Sequence, residues 1–390
     1  MTVLRLAWRN LLGARLRTWL NVLVLSLSFV AIIGLQGLLD GMSRQVQDAM
    51  VATAYGGGQY WHARYDPYDP LKLADAHGAL PAPVQALVDK GQATSVLVVQ
   101  GSIYPKGRVQ PVLLKGIDPG QTVVDYPSRL LSSAAGEVPA LIGQRMALST
   151  GLRAGDYVNV QWRDVNGTFD AREAKIVEVV TTSVQDVDVG QVWLPLALLQ
   201  ELTGMPNQAT YSVVGRGVKN PPDAPGWRFH NQESLLQDLR AVIKAKSAGS
   251  SVFYVILLFL AMLAIFDTQV LSLFRRRKEM GTLMALGMTR RQVIGLFTLE
   301  GALHGVLAFG VGAVYGIPLL YWLATSGIAL PKLVDSMGFA IGNSLYPAYG
   351  AALVLGTTLL VLTTTTIVSY LPTRRIARLK PTDALRGRWT

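Results

Sequence analysis

The sequence predicts a membrane α-helical protein with four transmembrane helices and a large mixed α/β extracytoplasmic domain between helices 1 and 2. Of its 390 residues, 50% are hydrophobic and 16% are charged, whereas soluble domains carry about 25% charged residues. Four stretches are nearly free of charge over about 20 or more residues, the length that an α-helix needs to cross a bilayer. Basic residues are concentrated beside these stretches.

The four apolar stretches are residues 20–39, 252–274, 293–323 and 348–371. The second contains one charged residue, Asp267, and the third contains one, Glu300. The first stretch exceeds the 7–15 apolar residues of a signal peptide, which predicts an uncleaved signal anchor.

The charge pattern predicts the orientation of the four helices. Residues 1–19, the link 275–291 and the tail from residue 372 together hold 16 basic and 2 acidic side chains. Residues 40–247 hold 19 basic and 20 acidic side chains and are close to neutral. Because basic residues accumulate on the cytoplasmic side of membrane proteins, both termini and the link are expected in the cytoplasm. Nucleic-acid binding is excluded, since the large domain offers no basic surface.

The order of segments follows from these observations. Residues 4–12 place Leu4, Trp8, Leu11 and Leu12 on one helical face, which predicts an amphipathic helix on the membrane surface. The predicted segments are a cytoplasmic amphipathic helix (1–19), transmembrane helix 1 (20–41), the periplasmic α/β domain (42–248), transmembrane helix 2 (249–274), a cytoplasmic coupling helix (275–291), transmembrane helix 3 (292–323), a short periplasmic loop (324–347), transmembrane helix 4 (348–371) and a cytoplasmic tail (372–390).

Within the exterior domain, alternating or β-rich runs bounded by Gly and Pro predict strands. The strands are expected at 96–104, 111–116, 157–162, 174–180 and 211–214, and helices at 84–90, 143–150, 196–204 and 234–246. The Pro- and Gly-rich run 219–227 is interpreted as a linker before the last helix leads back to the membrane.

The chain lacks the sequence patterns of common enzymes. It contains no cysteine, and its four histidines have no metal-ligand spacing. No GxxxxGK[ST] phosphate loop is present, so the chain is expected to bind no ATP in that manner. Glu300 and His304 share a helix face within the third stretch. With Asp267 they form either a proton relay or protease site, or, as the interpretation preferred here, groups that pair with arginines near the cytoplasmic end.

The segment 275–301 contains the clearest local signals. Gly287 is a natural end for a helix that continues from the second stretch. Thr289, followed three residues later by Gln292, predicts a capping box that starts the next helix. The short helix between them is predicted to expose Met280, Leu283 and Met284, an apolar patch that calls for a partner.

The run RRKEMGTLMALGMTRRQV resembles the coupling-helix motif of ABC-transporter permeases of the FtsX-like and MacB-like, mechanotransmission type. The amino end LAWRNLLGARLRTWLNVL and the tail YLPTRRIARLKPTDALRGR resemble the corresponding segments of that family. The exterior runs GGGQYWHARYDPYDP, LLKGIDP and LIGQRMALSTGLRAGDYVNVQ look like the lipoprotein-releasing (LolC/LolE-type) branch.

This resemblance implies a non-catalytic membrane subunit with no cofactor of its own, since ATP and Mg would be bound by a partner ATPase. Two ATPase subunits, a second homologous or identical permease chain, and a lipoprotein or periplasmic protein are the implied partners, in the bacterial inner membrane. The residues that match the coupling motif are Glu279, Gly281, Leu283, Leu286 and Gly287, with Arg276, Arg277 and Lys278 as its basic lead. Met280 departs from the isoleucine that is usual in the family, and with Met284 it completes the set implied to couple to the ATPase.

The implied function is extraction of lipoproteins from the inner membrane. In one interpretation, acyl chains enter between the first two spans and contact six apolar residues there. In the other, these six residues are ordinary lipid-facing or packing side chains. They are Ile33, Leu35, Leu38, Phe253, Leu257 and Leu260. The alternatives are a MacB-like efflux or secretion permease that works with a periplasmic adaptor, and an FtsX-like permease that regulates cell-wall enzymes.

Overall fold

The computed structural model describes residues 15–132, 136–181, 189–237, 240–241, 277–329 and 344–376, with nine scattered residues between 252 and 274. The chain divides into two compact units. One unit comprises residues 1–42, 244–328 and 345–390, and the other comprises residues 43–243 and 329–344.

The first unit is built from apolar helices. Its elements are α1 (Arg15–Met50, which ends in the second unit), α5 (Arg277–Ala285), α6 (Arg290–Ser326) and α7 (Ala351–Ile376). Among the described residues, three helical stretches are long and apolar enough to cross a membrane, namely Val22–Tyr55, Arg290–Ser326 and Ala351–Arg374. The expected span at 252–274 lies mostly outside the described residues, as do the expected surface helix before Arg15 and the tail after Ile376.

The three long helices share one apolar core. Val22, Leu25, Phe29 and Ile32 of α1 are buried against Ala308 of α6 and against Val361 and Val368 of α7. Helix α1 is continuous from Arg15 and runs 36 residues, well beyond the apolar stretch 20–39. The helix therefore extends past the length that a bilayer requires.

The second unit is an α/β domain. A π-helical turn, Val51–Tyr55, joins α1 to a nine-stranded sheet. Its main strands are β1 (Gly58–His62), β3 (Ala93–Ile103), β4 (Gln110–Ile117), β5 (Val138–Gly143), β6 (Tyr157–Arg163), β7 (Phe169–Val180), β8 (Gln191–Pro195), β10 (Tyr211–Val214) and β11 (Trp227–Asn231). Further elements of this unit are the short strands β2 (Gly78–Ala79) and β9 (Gln208–Ala209) and the helices α2 (Ala82–Asp89), α3 (Gln144–Thr150) and α4 (Leu196–Thr203). Two more short strands, β12 (Ile328–Ala329) and β13 (Ser344–Leu345), pair with each other.

The sheet order is β11-β1-β10-β3-β4-β8-β5-β7-β6, and β6 also pairs with β3. That last pairing closes six of the strands into a ring around a core that contains Leu97, Leu114, Ile142 and Trp162. A second core contains Met50, at the end of α1, together with Tyr126, Trp193 and Tyr211.

The five predicted strands and three of the four predicted helices of this domain are present, with ends that differ by a few residues. In the fourth, predicted at 234–246, the helical residues that the structure describes are 232–237 and 240–241.

The run 219–227, interpreted as a linker before the last helix, leads instead into an edge strand that the sequence analysis did not predict. Trp227 begins the edge strand β11, which pairs antiparallel with β1. The Tyr60 hydroxyl donates to the Pro222 carbonyl at 2.5 Å, and Ala224 is buried. The run is a packed loop because it covers the small core around Tyr60.

Candidate functional site

The connecting segment (residues 277–292) comprises α5, a fully capped turn and the first residues of α6. Gly287 has φ +100°, a value that glycine adopts without strain. The Met288 amide donates to the Leu283 carbonyl at 3.0 Å, and the Gly287 amide donates to the Met284 carbonyl at 3.1 Å. These two bonds are the Schellman pattern that ends many helices.

The start of α6 is capped as the sequence predicts. The Thr289 side chain accepts from the Gln292 amide, and the Thr289 amide donates to Gln292 Oε1 at 2.8 Å. This capping box gives hydrogen-bond partners to the backbone amides of Thr289 and Gln292, which the helix itself leaves without acceptors. The direction in which α6 leaves the turn is therefore fixed by local hydrogen bonds.

The prediction that Met280 is exposed is wrong. Its exposed fraction is 1%, and it packs with Val293, Leu296 and Phe297 of α6. Leu283 and Met284 are half-buried beside the same cluster rather than fully exposed. The first turns of α6 fold back onto α5 and cover the face that the sequence left without a partner.

Leu286 is the large apolar residue of the connecting segment that is exposed, with an exposed fraction of 79%. Glu279 and Gly287 are also exposed, whereas Gly281 is buried. Arg277 and Lys278 belong to α5, but their side chains and the whole of Arg276 lie outside the described residues. The segment thus presents one exposed leucine at the end of a rigid helix.

The packing of α6 explains its glycines. A Cβ built on Gly316 would lie 2.6 Å from Val30 Cγ2 of α1, and one on Gly305 would lie 3.0 Å from Leu362 Cδ2 of α7. A Cβ built on Gly312 would lie at ordinary contact distances of 3.4–3.7 Å from atoms of Ser26. These glycines allow close helix approach, which drives association in membranes.

Polar side chains also link the helices. The Thr357 hydroxyl donates to Gln36 Oε1 at 2.6 Å, and the Tyr315 hydroxyl donates to Ser26 Oγ at 3.2 Å. Such contacts specify helix register where no water competes.

Glu300 and His304 are both buried in α6, with exposed fractions of 8% and 7%, and His304 Nδ1 lies 2.8 Å from the Glu300 carbonyl. Asp267 lies outside the described residues. In the part of the chain that the structure describes, no three His, Asp or Glu side chains come together as a metal site.

A cavity of about 400 Å³ lies in the first unit between α1 and α6. Its lining is apolar and includes Phe29, Ile33, Phe309 and Ile317. Among the residues expected to contact acyl chains, Ile33 is 7% exposed and lines this cavity, and Leu35 and Leu38 are half-buried. Phe253, Leu257 and Leu260 lie outside the described residues.

Comparison with known proteins identifies the carboxyl-terminal part of the chain. Residues 251–381 match the family described as FtsX-like permease C-terminal. LolC, a lipoprotein-releasing system transmembrane protein of Xylella fastidiosa (strain Temecula1), is 20% identical over 94% of this chain and 92% of its own length. MacB, a macrolide export ATP-binding/permease protein of Psychrobacter arcticus, is 19% identical over 95% of this chain.

The chain spans 57% of the length of that MacB protein and 22% of a second MacB, from Wolinella succinogenes. Among solved structures, the extracellular domain of the noncanonic ABC-type transporter YknZ from Gram-positive bacteria matches with 15% identity and a TM-score of 0.25, over 42% of this chain and 84% of that domain.

Proposed function

We propose that this chain, whose residues 251–381 match the FtsX-like permease C-terminal family, is the membrane subunit of an ABC transporter that docks a separate ATPase on its connecting segment. The observation that carries the proposal is the exposure of Leu286 at the end of a helix that is capped on both sides of its turn. A partner that holds Leu286 would transmit force directly into α6, since Met280 fixes α5 to the first turns of α6.

The binding energy of such a contact would concentrate in a few central side chains. Leu286 supplies the apolar anchor, and Glu279, Arg290 and Arg291 supply exposed charges nearby in the segment. ATP and Mg would be bound by the partner, and two ATPase subunits and a second permease chain would complete the complex.

The substrate that we propose is a lipoprotein extracted from the inner membrane. The support is the LolC relative, which aligns over nearly all of both chains. An acyl chain would contact Ile33 and the apolar cavity between α1 and α6. Export with a periplasmic adaptor is the second candidate, supported by the MacB relative that aligns over 95% of this chain.

The docking role is tested by replacing Leu286 with Asp and co-purifying the ATPase encoded with this chain. An unpaired charge in a desolvated contact weakens binding by several kcal/mol, and each 1.4 kcal/mol is about tenfold in affinity. The ATPase is therefore expected to be lost from the complex. The melting temperature of the permease should stay unchanged because Leu286 is mostly exposed.

Leu148→Asp is the matched control, since Leu148 is 75% exposed but lies in the α/β unit. It should leave the ATPase bound. Leu283 is a poorer position for this test because it is half-buried, so that substitution there mixes stability with docking. ATPase retained at normal stoichiometry by Leu286→Asp would refute the docking role.

The substrate is tested by mass spectrometry of molecules that co-purify with the complex when the ATPase is inactive. Acylated proteins should be enriched over a preparation with active ATPase. Enrichment of a periplasmic adaptor without acylated proteins would instead favour the export function.

A further inference from the structure

The α/β unit contains a cavity of about 440 Å³ whose lining mixes polar and apolar side chains. It lies between α2, α4 and the start of β3, and the loop 118–123 forms another wall. Its volume is within the range of small-molecule sites, about 300–1,000 Å³.

Ser95 supplies a buried hydroxyl to the wall of this cavity. Side chains alternate along a strand, so Ser95 shares the face of β3 on which Leu97 packs with Leu199 of α4. Ser95 is 5% exposed, and its Oγ has no hydrogen bond to any residue that the structure describes. A buried polar group without a partner is costly, so a molecule within the cavity has a hydroxyl to bind.

Two glutamines in the lining each have one amide N–H engaged in a hydrogen bond within the protein. Gln85 Nε2 donates to Asp89 Oδ1 at 2.8 Å, and Gln200 Nε2 donates to the Gln208 carbonyl at 2.8 Å. Because a carboxylate and a backbone carbonyl only accept hydrogen bonds, both amide orientations are fixed. Each side chain therefore keeps its carbonyl oxygen as an acceptor, together with a second N–H.

Asp118 adds further acceptor capacity at the mouth of the cavity. Its Oδ1 accepts from the Gly120 amide at 2.9 Å, and its side chain is exposed. The structure describes every residue of the lining. Asp118 is its charged residue, and the lining contains no Lys, Arg or His. A carboxylate without a cationic neighbour attracts positive charge and disfavours anions.

We infer that this cavity binds a small organic cation with several N–H or O–H donors, such as an amino sugar or a polyamine. A positive group pairs with Asp118, and the other donors of the ligand bind the carbonyl oxygens of Gln85 and Gln200. The Ser95 hydroxyl takes the remaining hydrogen bond. This binding does not depend on the proposed transport function.

The inference is tested by calorimetric titration of the full chain in detergent with glucosamine, spermidine, glucose and glucuronate. Glucosamine carries an ammonium group where glucose carries a hydroxyl, so a comparison of these two probes reports the effect of the positive charge. At least one of the two cationic probes should bind about tenfold or more tightly than glucose, and glucuronate should not bind. Absence of binding by both cations, or equal binding of glucose or glucuronate, would overturn the inference.

Variants locate the binding. Asp118→Asn should weaken the cationic probe about tenfold or more, whereas Asp170→Asn should have no effect. Asp170 is the matched control, since its Oδ1 also accepts a nearby amide, that of Ala171 at 2.8 Å, on β7 outside the cavity. Ser95→Ala should weaken binding with no loss of thermal stability, because it deletes a hydroxyl without a partner. Equal effects of the two aspartate variants, or full affinity in Ser95→Ala, would place the binding elsewhere and refute the site.

Discussion

Met280 and Leu286 lie in the same short segment, yet their surroundings predict opposite responses to substitution. Met280→Ala should lower the free energy of unfolding by about 2–5 kcal/mol, the usual cost of deleting a buried Met side chain, because Met280 is 1% exposed. Leu286→Ala should change it by less than about 0.5 kcal/mol, as surface substitutions do. Thermal unfolding of the detergent-solubilised chain measures both. Equal losses would contradict the packing of α5 on α6.

His62, in β1, lies in an environment that disfavours its charged form. Burial lowers its pKa below 6.5, and the nearby His77 and Arg64 lower it further. Between the folded and unfolded pKa values the unfolded chain binds more protons, so His62 makes stability fall as the pH drops below its ordinary value.

NMR titration of the His62 ring should give a midpoint below 6.5. His77→Gln should raise the midpoint only partway, because burial is the larger cause. A midpoint at or above the ordinary histidine value would contradict this environment.

At the scale of single residues, local hydrogen-bond chemistry could be predicted from sequence and burial could not. Gly287 and the pair Thr289 and Gln292 were identified as caps because the relevant atoms lie within five residues of each other along the chain. The burial of Met280 depends on how α6 folds back on α5, which no local pattern specifies.

At the scale of helices, α6 offers a matched pair of glycines. A Cβ on Gly316 would lie 2.6 Å from Val30 Cγ2, whereas one on Gly310 meets no atom within 4 Å. Gly316→Leu should therefore destabilise the packing of α1 on α6 by about 1–3 kcal/mol, the cost of overpacking. Gly310→Leu should be neutral or slightly stabilising, because leucine is the better helix former.

Melting temperatures of the two leucine variants in detergent decide this prediction. If Gly310→Leu is as harmful as Gly316→Leu, the face of α6 that contacts α1 has been assigned incorrectly.

Three of the strands that the sequence analysis missed, β5, β8 and β11, have a physical explanation. β5 is buried along its whole length and β8 at four of its five residues, so neither strand alternates between buried and exposed positions. β11 follows a loop that contains three prolines and one glycine between residues 219 and 226, and its place in the sheet depends on pairing with β1. The alternating strand β6, by contrast, was found at its correct start.

At the scale of the whole molecule, topology is the main prediction. The chain contains no cysteine, so a single introduced cysteine reports its own location. Leu148→Cys should react with a membrane-impermeant maleimide in spheroplasts, and Leu286→Cys should react only after the membrane is permeabilised. Both positions are at least 75% exposed, so access to the reagent depends on the side of the membrane. The reverse pattern would invert the predicted orientation.

The sequence by itself determined the features that depend on composition and short-range order: long apolar helices, the concentration of basic residues beside them, the caps at Gly287 and Thr289, and the resemblance to FtsX-like permeases. Tertiary structure alone decided which side chains remain available for function. It buried Met280 and left Leu286 exposed, and it brought Ser95, Asp118 and Gln200 to one cavity from distant parts of the chain. The reason is physical: hydrophobic period and capping act within a few residues, whereas burial and cavities arise from contacts between elements far apart in sequence.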